Sequence, residues 1–337
     1  MRAIPKLHSF LIHNANGMEA SIINFGATMI SIKVPIPNGG LQEVTLGFDT
    51  PQEYVQQRTH MGSIDGRVAN RIAKGKFILD GKTYLLNCNN GPNHLHGGQN
   101  GWAKVFWAVE GVSSNSIRLK YHSPDGDEGY PGNVDVSVIY SIEESNSLAV
   151  EIEAITDTPT IINPTNHCYF NLHRDHRRTI LDHDLQILAD YYTPADAGLI
   201  PTGEISSVMA TPMNFLHMKE VGTDIHADFD QLRNTNGYDH NWVLNDYNGQ
   251  LRKVATLVCP ENGIAMDTFT NQPGLQCYTG NLLGAYSGRD GMQYVPYSGI
   301  CLETQGFPDA VNHPEFPSTI LRPEEQYRHF TLYRFDL

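Results

Sequence analysis

The chain has 337 residues, long enough to bury a sizeable core, and charged side chains make up only 18% of them. Its formal net charge of −14 argues against nucleic acid and anionic membrane surfaces as partners, since both recruit basic patches. No apolar stretch approaches membrane-spanning length, and the apolar run Phe10 to Ile12 after Arg2 and Lys6 is too short for a secretory signal.

Taken in chain order, the elements alternate with period two. Ile30, Ile32, Val34 and Ile36 form one such stripe. Thr50-Pro51-Gln52-Glu53 is the best helix start, with Thr50 as cap, Pro51 in the first helical position and Glu53 completing a capping box. It supports a turn or two. Phe77 and Leu79 precede Asp80-Gly81, which predicts a hairpin. Ile117, Leu119 and Tyr121 make a short strand. Val134, Val136, Val138, Tyr140 and Ile142 lead through Glu143-Glu144-Ser145-Asn146 into Leu148, Val150, Ile152 and Ala154, a second hairpin. A third joins Thr256 to Val258 with Ile264 to Thr268, and Phe330 to Phe335 closes the set.

Thirty glycines and nineteen prolines are spread evenly and mark no linker, and there is no internal repeat. Many strands with one-sided apolar faces imply two sheets packed face to face. The expectation is all-β: one large antiparallel β-sandwich domain over residues 1–337. Five cysteines (Cys88, Cys168, Cys259, Cys277 and Cys301) are odd in number and widely spaced, which fits free thiols in a reducing, cytoplasmic setting.

The decad Asn163-Pro164-Thr165-Asn166-His167-Cys168-Tyr169-Phe170-Asn171-Leu172 carries three amides, a hydroxyl, an imidazole and a phenol, and no charge. That mixture suits a neutral polyol, whose hydroxyls want donors and acceptors and whose C–H face wants an aromatic surface. His167 alone in it titrates near neutrality. A second cluster, Asn93-His94-Leu95-His96-Gly97-Gly98, puts two histidines on one face of a strand. It reads as metal ligation, with His94, His96, His167 and Glu303 as the set, as hydrogen bonding to a substrate, or as a glycine turn with surface histidines. Glu303 ends the apolar run Ile300-Cys301-Leu302. Burial there would raise its pKa toward that of a base, and a solvent-facing glutamate fits the same pattern. Arg71, Asp239 and Gln276 carry groups that suit sugar hydroxyls equally with ordinary surface or turn roles.

Taken together, Gly66-Arg67-Val68-Ala69-Asn70-Arg71-Ile72, Asn93 to Gly98, Asp127 to Asn133, Asn163 to Leu172, Tyr238-Asp239-His240 and Leu302 to Pro317 resemble the aldose 1-epimerase (galactose mutarotase) family in order and spacing, from about Ile22 to the C-terminus. The resemblance implies the supersandwich fold of that family, a sugar cleft, and anomer exchange of a free neutral aldose with no cofactor and no metal. It assigns Glu303 as general base, His167 as general acid and His96 as a second imidazole at the ring oxygen. Asn70, Arg71, Tyr169, Asp239 and Gln276 fall at substrate-contacting positions, and His94 matches none.

Two residues depart from the family pattern. Asp65 stands where an apolar residue is usual, and is expected to pair with Arg67 or Arg71. Gly306 replaces a larger side chain, and is expected to loosen the cleft beside Glu303. Three rival readings remain at this point: a non-catalytic sugar-binding sandwich, a glycoside hydrolase with Asp239 and Glu303 as its carboxylate pair, and a metalloprotein built on His94, His96 and His167.

Overall fold

A computed structural model of the chain describes residues 6–37, 39–284 and 286–337. The longest hairpin is the one the sequence marks most plainly. Val134–Glu143 and Ser147–Thr156 pair antiparallel over their whole length, from Val134 opposite Thr156 to Glu143 opposite Ser147. Its inward stripe, Val136, Val138, Tyr140, Val150 and Ile152, is buried, each large apolar side chain contributing ~1.5–3 kcal/mol.

This hairpin lies inside a nine-stranded antiparallel sheet. From one edge the order is Ala108–Val112, Ser116–Ser123, Val134–Glu143, Ser147–Thr156, Tyr327–Asp336, Ala265–Thr270, Arg252–Val258, Asp184–Ile187 and Lys219–Glu220. The closing strand thus sits in the middle of the sheet, pairing Ser147–Thr156 on one side and Ala265–Thr270 on the other.

A five-stranded sheet, ordered Ser206–Ser207, Tyr191–Thr193, Asp239–Val243, Gly274–Tyr278 and Cys301–Gln305, packs against it. The two share one buried cluster in which Val136 and Ile152 of the first meet Trp242, Leu275 and Leu302 of the second. Polar ties cross the same boundary: Thr304 Oγ1 lies 2.8 Å from His329 Nε2 and 2.6 Å from Thr331 Oγ1. The strands Gly274–Tyr278 and Cys301–Gln305 are buried on both faces. Alternation is therefore hidden in their sequence. Leu275, Cys277, Leu302 and Trp242 point into the core, while Asp239, Tyr278 and Glu303 emerge on the opposite face.

A four-stranded sheet of Ser9–His13, Glu19–Ile23, Met29–Pro35 and Leu41–Glu43 completes the N-terminal part. The helix Pro51–Gln56 forms as its start signal predicts, with the Glu53 carboxylate accepting from both the backbone N–H and the hydroxyl of Thr50 at 2.7 Å. A second short helix, Asp230–Thr235, ends on Asn236 in the left-handed region. It lacks a side-chain cap and an apolar stripe of any length, so periodicity gives no sign of it. No helix among the described residues is long and apolar enough to cross a membrane.

Candidate active site

The outer face of the five-stranded sheet forms one wall of a cavity of about 210 Å³. Strand register explains its composition. Gln276 lies opposite Glu303, and Asp239 opposite Tyr278, so side chains from three neighbouring strands share one face.

The other wall begins at the decad. Thr165–Asn166 pairs with Ile64–Asp65, Thr165 opposite Asp65, and His167 is locked next by its N–H to the Ser63 carbonyl and by the Gly62 N–H to its own carbonyl, both 2.9 Å. A Cβ on Gly62 would fall 1.9 Å from the Met29 carbonyl, so only glycine permits this approach. The imidazole then projects with Nε2 at 3.5 Å from Glu303 Oε1 and Nδ1 at 3.5 Å from Cys301 Sγ. Tyr169 flanks it, ring centroids 5.1 Å apart, with its hydroxyl donated to the Thr59 carbonyl at 2.9 Å.

His96 follows His94–Leu95, the strand that pairs with Arg71–Ile72. Its Nδ1 accepts from the Asn70 N–H at 3.2 Å and stands 3.0 Å from Asp65 Oδ2. Arg71 donates Nε to Asn90 Oδ1 at 3.2 Å and Nη1 to Asn70 Oδ1 at 3.4 Å, and it lines the cavity. Asn70, Arg71, His96, His167, Tyr169, Asp239 and Glu303 all line the one cavity. Gln276 does not: its amide donates to Asp239 Oδ1 at 2.7 Å, one step behind the surface. A larger groove of about 640 Å³ runs past Gly306 and Tyr327, and neither a histidine nor any candidate site residue lines it.

Burial sets the proton affinities. Desolvation, with the neighbouring charges of Asp65 and Asp239, raises Glu303 well above the usual carboxylate range, and Arg71 only partly opposes this. Desolvation lowers His167 to about 3, against the pull of Asp65, and lowers His96 as well. Asp65 runs the other way. Its burial would raise it, but His60 and His96 together hold it well below the ordinary value.

Asp65 therefore departs from expectation. It pairs with His60, whose Nδ1 lies 2.9 Å from Oδ1, and with His96. Arg67 is held elsewhere, by Ser123, Thr160 and the carbonyls of Pro131 and Gly132. Gly306 is not loose: its N–H donates to Asn163 Oδ1 at 2.7 Å and its carbonyl accepts from Asn163 Nδ2 at 3.0 Å. A side chain there would meet Thr319 Cγ2 at 3.0 Å. His94 is turned away into the core, with Nδ1 on the Asn87 carbonyl at 2.6 Å and Nε2 on the Tyr130 hydroxyl at 2.7 Å. Both nitrogens are spent, so His94 completes no ligand set with His96, His167 and Glu303. Sequence reasoning passed over His60 and Tyr278, which also line the cavity. The signal available for His60 was the short Thr59-His60-Met61-Gly62 turn just ahead of the unusual Asp65.

A two-sheet β-sandwich with a buried carboxyl–imidazole pair at the base of a polar, aromatic-flanked cavity is the class that fold and site define. The sequence model of the family described as aldose 1-epimerase matches residues 8–334. Among curated relatives, galactose mutarotase of Bos taurus is 43% identical over 321 residues, covering 95% of this chain and 92% of that protein. Aldose 1-epimerase of Escherichia coli (strain K12) is 37% identical over 327 residues, covering 96% and 94%. Among solved structures, a GalM/aldose epimerase homologue from C. elegans superposes with a TM-score of 0.91 at 30% identity, covering 98% of this chain and 99% of that one. The chain belongs to the aldose 1-epimerase family.

Proposed function

We propose that this protein is an aldose 1-epimerase (mutarotase), interconverting the α and β anomers of a free aldohexose such as galactose or glucose. The observation that carries this reading is the 3.5 Å approach of His167 Nε2 to Glu303 Oε1 at the base of the cavity. Ring opening removes a proton from the anomeric hydroxyl and delivers one to the ring oxygen. Two positioned groups of suitable pKa suffice, each contributing a factor of ~10²–10⁴.

Burial favours neutral His167 and protonated Glu303, so the proton the pair shares rests on the carboxyl. Transfer of that proton across the 3.5 Å gap gives the carboxylate and imidazolium that ring opening uses. A sugar hydroxyl at the carboxylate, with Arg71 behind it, favours that ionised form. Glu303 then takes the anomeric proton while His167 protonates the ring oxygen. The open aldehyde rotates about its bond to the next carbon, and the reverse transfers close the ring on the other face. His96 and Arg71 stabilise charge on the ring oxygen as it leaves. Asn70, Asp239 and Tyr169 line the sugar's seat, and Gln276 supports it through Asp239.

The rest of the reading follows the same line. Residues 1–337 act as one domain whose partner is a small neutral aldose, with no cofactor and no metal. The absence of a basic excess speaks against nucleic acid and membrane, and five free thiols speak for the cytoplasm. The test is polarimetry or exchange NMR on freshly dissolved α-D-galactose and α-D-glucose. Wild type is expected to speed anomer exchange, and Glu303→Gln and His167→Asn to abolish most of the gain. Unchanged rates in both variants would refute the roles.

A further inference from the structure

The site holds an imidazole and a carboxylate to which the proposed mechanism assigns no work. Asp65 is fully buried, and its Oδ1 is 2.9 Å from His60 Nδ1 and accepts from the Ser63 hydroxyl at 2.9 Å. A carboxylate only accepts hydrogen bonds, so the proton of the neutral His60 ring sits on Nδ1 and Nε2 keeps its lone pair. That nitrogen has no partner within the described residues and is not sealed from solvent, and His60 lines the cavity beside His96 and His167. The ring centroids are 4.7 Å from His96 and 6.1 Å from His167.

His96 faces the other oxygen of that carboxylate, with Nδ1 3.0 Å from Asp65 Oδ2 and 3.2 Å from the Asn70 nitrogen.

We infer that His60, fixed by Asp65, is a further substrate-contacting residue, whose Nε2 accepts a hydrogen bond from a hydroxyl of the bound sugar. A carbon lacking that hydroxyl leaves this nitrogen unpaired. Asp65 acts as a positioning residue that sets the tautomer of His60. The inference rests on the mutarotase reading for its choice of ligand.

The experiment measures KM and kcat for α-D-glucose, α-D-galactose and their monodeoxy analogues in wild type, His60→Phe, His60→Gln and Asp65→Asn. His60→Phe is expected to raise KM for the parent sugars about three- to tenfold, the worth of one neutral hydrogen bond, with kcat within about twofold. His60→Gln, which keeps an acceptor, recovers most of the loss. One deoxy analogue, already poor for wild type, gains no further penalty in His60→Phe, because the two deletions remove the same bond. An unchanged KM in His60→Phe, or penalties that add for every analogue, overturns the inference.

Histidine ¹⁵N–¹H correlation spectra of the wild-type protein give a readout independent of any variant's folding. His60 is expected to show a protonated Nδ1 and an Nε2 signal that moves on adding galactose, and Asp65→Asn to mix its tautomers. A protonated Nε2 in the wild type, or no movement with sugar, also overturns it. A wild type that binds galactose at His60 without speeding anomer exchange sinks the mutarotase reading and leaves this one standing.

Discussion

His167 and Glu303 meet from distant parts of the chain, Nε2 to Oε1 at 3.5 Å, and the same cause, removal from water, shifts their proton affinities in opposite directions. The imidazole is pushed toward neutrality and the carboxyl toward protonation. The ordinary order of their affinities, imidazole above carboxyl, is thereby reversed, and the proton rests on Glu303 until substrate groups favour the ion pair.

Glu303→Gln should lower the anomer-exchange rate by ~10²–10⁴-fold without lowering stability. The folded-state pKa of Glu303 is raised, so above the ordinary carboxylate range the native state holds a proton that the unfolded chain releases. Stability contributed by this group therefore falls as pH rises through that window, and an amide removes the fall. Polarimetry and urea unfolding at neutral pH check both halves. A marked drop in the unfolding midpoint would contradict the second.

Stability should decline on acidification. Burial lowers His167 and His329 to about 3 and His240 to about 4. Between those values and the unfolded ~6.5 the unfolded chain binds protons that the native state refuses, so the native state loses ground as pH falls. Urea midpoints across about pH 4 to pH 7 measure the slope, and His329→Gln should flatten it. An unaltered slope in that variant would count against this origin.

His94 and His96 should separate cleanly. His94→Phe loses two buried hydrogen bonds and strands the Tyr130 hydroxyl, at a cost of ~1–3 kcal/mol for the unpartnered group, while the folded enzyme keeps its kcat. His96→Phe should lose rate, with a stability cost of its own because Asp65 Oδ2 is left without its 3.0 Å partner. Thermal unfolding alongside polarimetry distinguishes the two, and a reversed pattern would exchange their roles.

Asp239→Ala should raise KM about tenfold or more, by loss of hydrogen bonds to sugar. Gln276→Ala should do less, and should add little when combined with it, because Gln276 works through its 2.7 Å bond to Asp239. Additive effects in the double variant would mean that Gln276 reaches the sugar on its own.

The hairpins and the helix at Pro51 were legible because period two and capping chemistry are local signals. The register that brings Gln276 opposite Glu303 was not, since strands buried on both faces show no alternation. His167 and Glu303 stood out through their chemical setting. Asp65 is unusual in the sequence, but its partner is not legible there: arginine is the commoner mate of a carboxylate, and nothing in the sequence reveals that Arg67 is already surrounded by Ser123, Pro131 and Gly132. His94 and His96 share a strand face in the linear pattern. The left-handed turn at His96 breaks that pattern and parts them, one to the core and one to the cavity.

The position of Tyr327–Asp336 between Ser147–Thr156 and Ala265–Thr270 bears on how the molecule is made. Both neighbours leave the ribosome before the strand that joins them, so each presents a bare edge of unpaired amides until it arrives. Assembly of the nine-stranded layer must wait for the last element, and a truncation that removes those ten residues would split the layer at its middle instead of trimming its rim.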